Sequence, residues 1–110
     1  MYTDFFNEFL MSRDNLRVYK GNQSVFSSSN DGLLPLLEYI DHFIPYHQQV
    51  VVFDKIMGNA AALLSIKAGC QQIYSPLGSQ LAINTLHRYG IEYHLTKIIP
   101  YIQTSSYEHM

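Results

Sequence analysis

The residues best placed to do chemistry lie in one stretch, Val50-Val51-Val52-Phe53-Asp54-Lys55-Ile56-Met57-Gly58-Asn59-Ala60. A run that is apolar on both faces ends at a carboxylate, and a helix-forming segment follows at once. In open α/β sheets, ligands bind outside the carboxyl ends of strands, where the first N–H groups of helices lack partners. Asp54 would offer a carboxylate at such a place, Lys55 and Asn59 would offer donors, and Gly58 would let a ligand approach the backbone. Asp54 and Lys55 could also act as an acid/base pair in an enzyme. The plainer role for Asp54 is to cap the helix that follows, with Lys55 in solvent.

A second junction, Tyr74-Ser75-Pro76-Leu77-Gly78-Ser79, has the same strand-to-helix character. Ser75 reads as a helix N-cap and Pro76 as the first helical residue. If the two strands are neighbours, Ser75, Gly78 and Ser79 join Asp54 in one polar pocket. Capping alone would also explain both serines.

Other chemistry lacks its motifs. His42, His47, His87, His94 and His109 form neither HExxH nor an i,i+4 helical pair, so no metal site is expected. There is no G-x-S-x-G elbow, no Walker A loop and no GxGxxG, so neither a serine nucleophile nor a nucleotide cofactor is indicated. Cys70 opens a buried-looking strand, where it would pack as a small hydrophobe.

The elements that must position these residues follow from periodicity. Tyr2, Phe5, Phe6, Phe9 and Leu10 fall on one face of a helix over Thr3 to Asn15, with Thr3 as its cap. Two short strands, Leu16 to Lys20 and Gln23 to Ser27, flank the turn Gly21-Asn22. The polar run Ser27 to Gly32 is a loop. Leu33, Leu36, Leu37, Ile40 and Ile44 have helical spacing, with Pro35 in the first turn and Pro45 as a stop. Gln49 to Phe53 reads as a central strand covered on both sides, and Ile56 to Lys67 as a helix closed by Gly69. Cys70 to Tyr74 is a strand, Ser75 to Tyr89 a helix closed by Gly90, and Ile91 to Leu95 a strand that Lys97 to Ile102 extends or follows. Gln103 to Met110 reads as a loose tail. The order argues an α/β protein, a three-layer α/β/α sandwich on a mixed sheet, in a single domain over residues 1–110.

Composition narrows the partners. Of the 110 residues 15% are charged, against roughly 25% in ordinary domains, so uncharged groups must cover part of the surface. The nine tyrosines point to an aromatic surface hidden in a homodimer. A net charge of −2 disfavours nucleic acid and anionic lipid as partners. One cysteine excludes an intramolecular disulfide and a cysteine zinc cage. With no spanning apolar run and no basic start resembling a secretory signal, the expected location is the cytoplasm.

The stretch Asp54-Lys55-Ile56-Met57-Gly58-Asn59-Ala60-Ala61-Ala62-Leu63-Leu64 resembles the hallmark of a small bacterial family of unknown function, DUF1893. The likeness extends to Ser28-Ser29 and Gly32-Leu33-Leu34-Pro35-Leu36 before it, and to Leu86 through Gly90-Ile91 and Ile99-Pro100 after it. The resemblance implies a cytidine deaminase-like fold. Deaminases carry His/Cys-x-Glu and Pro-Cys-x-x-Cys at the two helix starts; here Asp54 to Gly58 and Ser75 to Ser79 stand in those places. No zinc ligand remains among them, so zinc-dependent deamination is not expected. The resemblance also implies a later Cys-Pro-Met-Glu segment, which does not occur among the 110 residues. The expected function is a deaminase-like domain that binds a small, nucleotide-like ligand through Asp54, Lys55, Gly58, Asn59, Ser75, Gly78 and Ser79. The alternatives are a homo-oligomeric interaction module and an enzyme using Asp54 and Lys55 without zinc.

Overall fold

The computed structural model describes residues 2–43 and 49–100. The expectations for Ile44, Pro45, His47, His109 and the Gln103–Met110 tail lie outside the described residues. The elements, in chain order, are α1 (Thr3–Met11), β1 (Leu16–Lys20), β2 (Gln23–Ser28), α2 (Leu34–His42), β3 (Val50–Asp54), α3 (Asn59–Lys67), β4 (Cys70–Ser79), α4 (Gln80–Arg88) and β5 (Glu92–Ile99).

The five strands form one mixed sheet in the order β2-β1-β3-β4-β5. The hairpin β1–β2 is antiparallel, and β1 also runs antiparallel to β3. From β3 onward the sheet is parallel, each step made by a crossover helix. Gly21 makes the hairpin turn in the left-handed region, at φ 63°, where glycine has no steric penalty.

Side-chain alternation sorts the core into two layers. Val50 and Val52 of β3 face α2, α3 and α4, packing with Leu16, Val18, Leu36, Tyr39, Met57, Ala61, Ile73 and Leu86. Val51 and Phe53 face the other way, against Tyr2 and Phe9 at α1 and Tyr19 of β1. Thus β3 is buried along its whole length, as its unbroken apolar run predicts. The alanines of α3 are buried too, and their small side chains let that helix lie close to the sheet. The result is a three-layer α/β/α sandwich with a mixed sheet.

Several boundaries differ from expectation. The first helix stops at Met11 rather than Asn15, because Ser12 turns the chain: its N–H and its hydroxyl both donate to the Phe9 carbonyl, and Asp14 N–H donates to Ser12 Oγ. Thr3 is not its cap; Tyr2 holds that position and makes no side-chain capping bond. Helix α3 begins at Asn59, not Ile56, because Met57 is first used in a bridge to Gly78. The largest correction concerns β4. It runs ten residues to Ser79, and Ser79, not Ser75, caps α4 by accepting from Ala82 N–H at 3.1 Å. Of the six described tyrosines, Tyr2, Tyr19 and Tyr39 are buried, Tyr74 and Tyr93 are half-buried and Tyr89 is exposed.

Candidate functional site

In the ladder between β3 and β4, Phe53 pairs with Tyr74, so Asp54 and Ser75 are the next residues on the two neighbouring strands. Phe53 and Tyr74 belong to the α1 side, and alternation turns Asp54 and Ser75 toward the helices α2, α3 and α4. The two polar side chains therefore share one face at the carboxyl end of the parallel strands. Both are buried.

Asp54 Oδ1 accepts the N–H of Ile56 at 3.3 Å, a local turn that carries the chain out of β3. Asp54 does not cap α3, whose N-cap is Gly58. Burial pushes the Asp54 carboxyl up to about 8, only partly opposed by backbone N–H donation from Ile56 and Lys55. At neutral pH the group is mainly a neutral acid, able to donate a hydrogen bond as well as accept one.

Lys55 does not join it. Its ammonium donates to the carbonyls of Ser12 and Asp14, at 3.1 and 2.6 Å, and lies 4.6 Å from the Phe9 ring centroid. Lys55 thereby ties the strand end to the end of α1. Its pKa is lowered by burial, against the attraction of Asp14. No ion pair connects Lys55 with Asp54 among the described residues.

The other expected site residues have identifiable structural work. Ser75 Oγ donates to the Leu77 carbonyl at 2.9 Å and accepts its N–H at 3.3 Å, closing a tight turn around Pro76. Asn59 at the start of α3 accepts the hydroxyl of Thr85, linking α3 to α4. Gly78 packs closely on β5: a β-carbon there would lie 2.5 Å from Leu95 Cδ1, which would have to shift. Ser79 caps α4. Asp54 and Ser75 stand together at the strand ends, Ser75 with its hydroxyl in the Leu77 turn, and Gly58, Asn59 and Ser79 stand at the adjoining helix starts. Lys55 is directed elsewhere.

Cavities lined by described residues lie away from this centre. One of about 190 Å³ lies between α2 and α3, lined by Leu33, Leu37, Ala60, Leu63 and Leu64. Another, of about 320 Å³, lies beside α1 and includes Tyr74 and His94. Sequence reasoning treated His94 only as a candidate metal ligand. The usable signal was Glu92-x-His94 on a strand, a spacing that puts both side chains on one face. No three His, Cys, Asp or Glu side chains converge among the described residues. Cys70 is buried, and burial pushes its thiol up to about 12, as expected of a packing residue.

With this geometry in place, comparison with known proteins supplies the family. The model of the TM1506 family, described as a domain of unknown function (DUF1893), matches residues 6–110. The chain belongs to the DUF1893 family. A crystal structure of a DUF1893 family protein from Thermotoga maritima superposes with a TM-score of 0.82 at 26% sequence identity. The match covers 91% of this chain and 67% of the Thermotoga chain. No curated protein matches. The membership accords with the Asp54–Leu64 stretch read as the DUF1893 hallmark. In this member, no helix among the described residues is long and apolar enough to cross a membrane.

Proposed function

We propose that this DUF1893 chain is a small-molecule binding domain whose site is the carboxyl end of β3 and β4, with Asp54 and Ser75 at its centre. The observation that carries the reading is the buried Asp54 carboxyl, which no cation neutralises among the described residues: Lys55 is committed to the carbonyls of Ser12 and Asp14. Burying such a group costs several kcal/mol by general experience, on the order of 2–7, unless it is well hydrogen-bonded. The backbone N–H donation it receives from Ile56, at 3.3 Å, and from Lys55 is modest compensation. A protonated acid beside a serine hydroxyl matches the donor–acceptor edge of a nucleobase or similar heterocycle. The starts of α3 and α4 next to it suit a phosphate. We read the domain as deaminase-like without a zinc centre, a binder of a nucleotide-like ligand. A thermal-shift screen with bases, nucleosides and nucleotides tests this. The expected result is a hit in the wild type that disappears in Asp54→Ala; no hit, or one unchanged in that variant, overturns the reading.

A second reading rests on the helical layer. Leu34, Leu37 and Leu63 are 51%, 40% and 43% exposed beside the apolar cavity between α2 and α3. Such a patch fits a homodimer contact. Light scattering at micromolar concentration would show a dimer, and a monomer would remove this reading.

A further inference from the structure

Helix α1 covers only part of its side of the sheet. Its aromatic residues pack over β1 and β3, meeting Tyr19, Val51 and Phe53. Further along the same face, β5 places Glu92, His94, Thr96 and Ile98 at alternate positions, all of them exposed. Between α1 and this strip lies the cavity of about 320 Å³, lined by Thr3, Phe6, Tyr74, His94, Leu95 and Thr96. It is on the opposite side of the sheet from Asp54 and Ser75, so it is a separate place.

Its walls are organised. The His94 ring stacks on Tyr74 with centroids 4.2 Å apart and planes 17° apart. The Phe6 ring leans over the same tyrosine at 5.5 Å. Glu92 fixes the imidazole: its carboxylate lies 2.7 Å from His94 Nε2, and both side chains reach solvent, 61% and 43% exposed. In the tautomer that donates Nε2–H to Glu92, Nδ1 keeps its lone pair for another partner. The hydroxyls of Thr3 and Thr96 can each donate or accept.

We propose that this groove binds a small planar nitrogen heterocycle, packed against Phe6 and the edge of the Tyr74–His94 stack and held at its own edge by His94, Thr96 and Thr3. Volume, charge and shape each narrow the class. The cavity is at the low end of the ~300–1,000 Å³ typical of small-molecule sites, so a single ring system fits and a dinucleotide does not. The lining contains no Lys or Arg, and Glu92 stands beside it, which disfavours an anion. The Phe6 ring and the edge of the Tyr74–His94 stack favour a flat π-system over an aliphatic one. An imidazole lone pair with two hydroxyls then calls for N–H donors on that ring.

The test is a titration of the full chain by ¹H–¹³C aromatic NMR, with adenine and cytosine as probes and benzoate and cyclohexanol as contrasts. Adenine or cytosine should give saturable shifts at His94 Cε1–H and the Tyr74 ring. Affinity should fall roughly five- to tenfold in Thr96→Val, and in His94→Leu read at Tyr74, as for loss of one hydrogen bond each. Both positions are at the surface, so neither variant threatens the fold. The absence of saturable shifts up to millimolar probe overturns the proposal. So do equal shifts with cyclohexanol, or shifts that follow protein concentration and so assign the face to a second copy of the chain.

Discussion

Asp54 and Ser75 occupy consecutive places on adjacent parallel strands, one step past the Phe53–Tyr74 pair, and both side chains are buried on the same face. Asp54 thus stands at a strand end without a cation, while the lysine next to it reaches away to α1.

Asp54 gives the protein an inverted pH response. Its carboxyl titrates near 8 when folded and near its ordinary value of about 4 when unfolded. Between those values the folded state holds a proton that the unfolded state has released. Its contribution is therefore fully present below about pH 4 and declines as pH rises toward 8. Asn mimics the neutral acid and keeps the acceptor for Ile56. Asp54→Asn should match wild type near pH 4 and exceed it by on the order of 3–5 kcal/mol at pH 8.5, measured by urea unfolding. Equal stability of the two at both pH values would contradict this.

Lys55 should prove structural. Lys55→Met keeps the stem over Phe9 and removes both hydrogen bonds to the carbonyls of Ser12 and Asp14. We expect a loss of roughly 1–3 kcal/mol, with amide exchange accelerating first in α1 and the Ser12–Asp14 turn. Uniform acceleration across the sheet would mean that Lys55 does not anchor α1.

The two serines separate by role. Ser79→Ala removes the α4 cap and should cost about 1 kcal/mol, with fraying seen at Leu81 and Ala82. Ser75→Ala should leave α4 intact and loosen the Leu77 turn instead. Fraying of α4 in Ser75→Ala would reverse the assignment.

Gly78 and Leu95 should be energetically coupled. The methyl of Gly78→Ala meets the far end of a side chain rather than backbone, so the cost should be about 1–2 kcal/mol. Leu95→Ala frees that space, and a double-mutant cycle should recover most of the Gly78→Ala penalty. Simple additivity would show that the glycine serves something other than this contact.

Much of this architecture was legible because its physics is local. Val50-Val51-Val52-Phe53 could only be a strand covered on both faces, and Gly21-Asn22 between two strand-forming runs could hardly be other than a hairpin. The β4–α4 boundary was hidden because Ser75-Pro76 mimics a helix start. The ladder with β5 skips Pro76, which has no N–H to give, and Ser75 supplies local bonds in its place. Gly78, a poor helix former, was the available sign that the helix begins later. Lys55 was misread for another reason. Its partners are carbonyls more than forty residues away, and nothing in local spacing announces them. The same holds for His94, whose Tyr74 partner lies on a different strand.

The most direct measurement is the ¹³Cγ chemical shift of Asp54, followed from pH 4 to 10 with and without a nucleoside found by thermal shift. The predicted result is a carboxyl that is mainly protonated at pH 7, with a midpoint near 8 that moves when the ligand binds. A midpoint near 4, or a titration the ligand leaves unchanged, would contradict the assignment of Asp54 to the binding site.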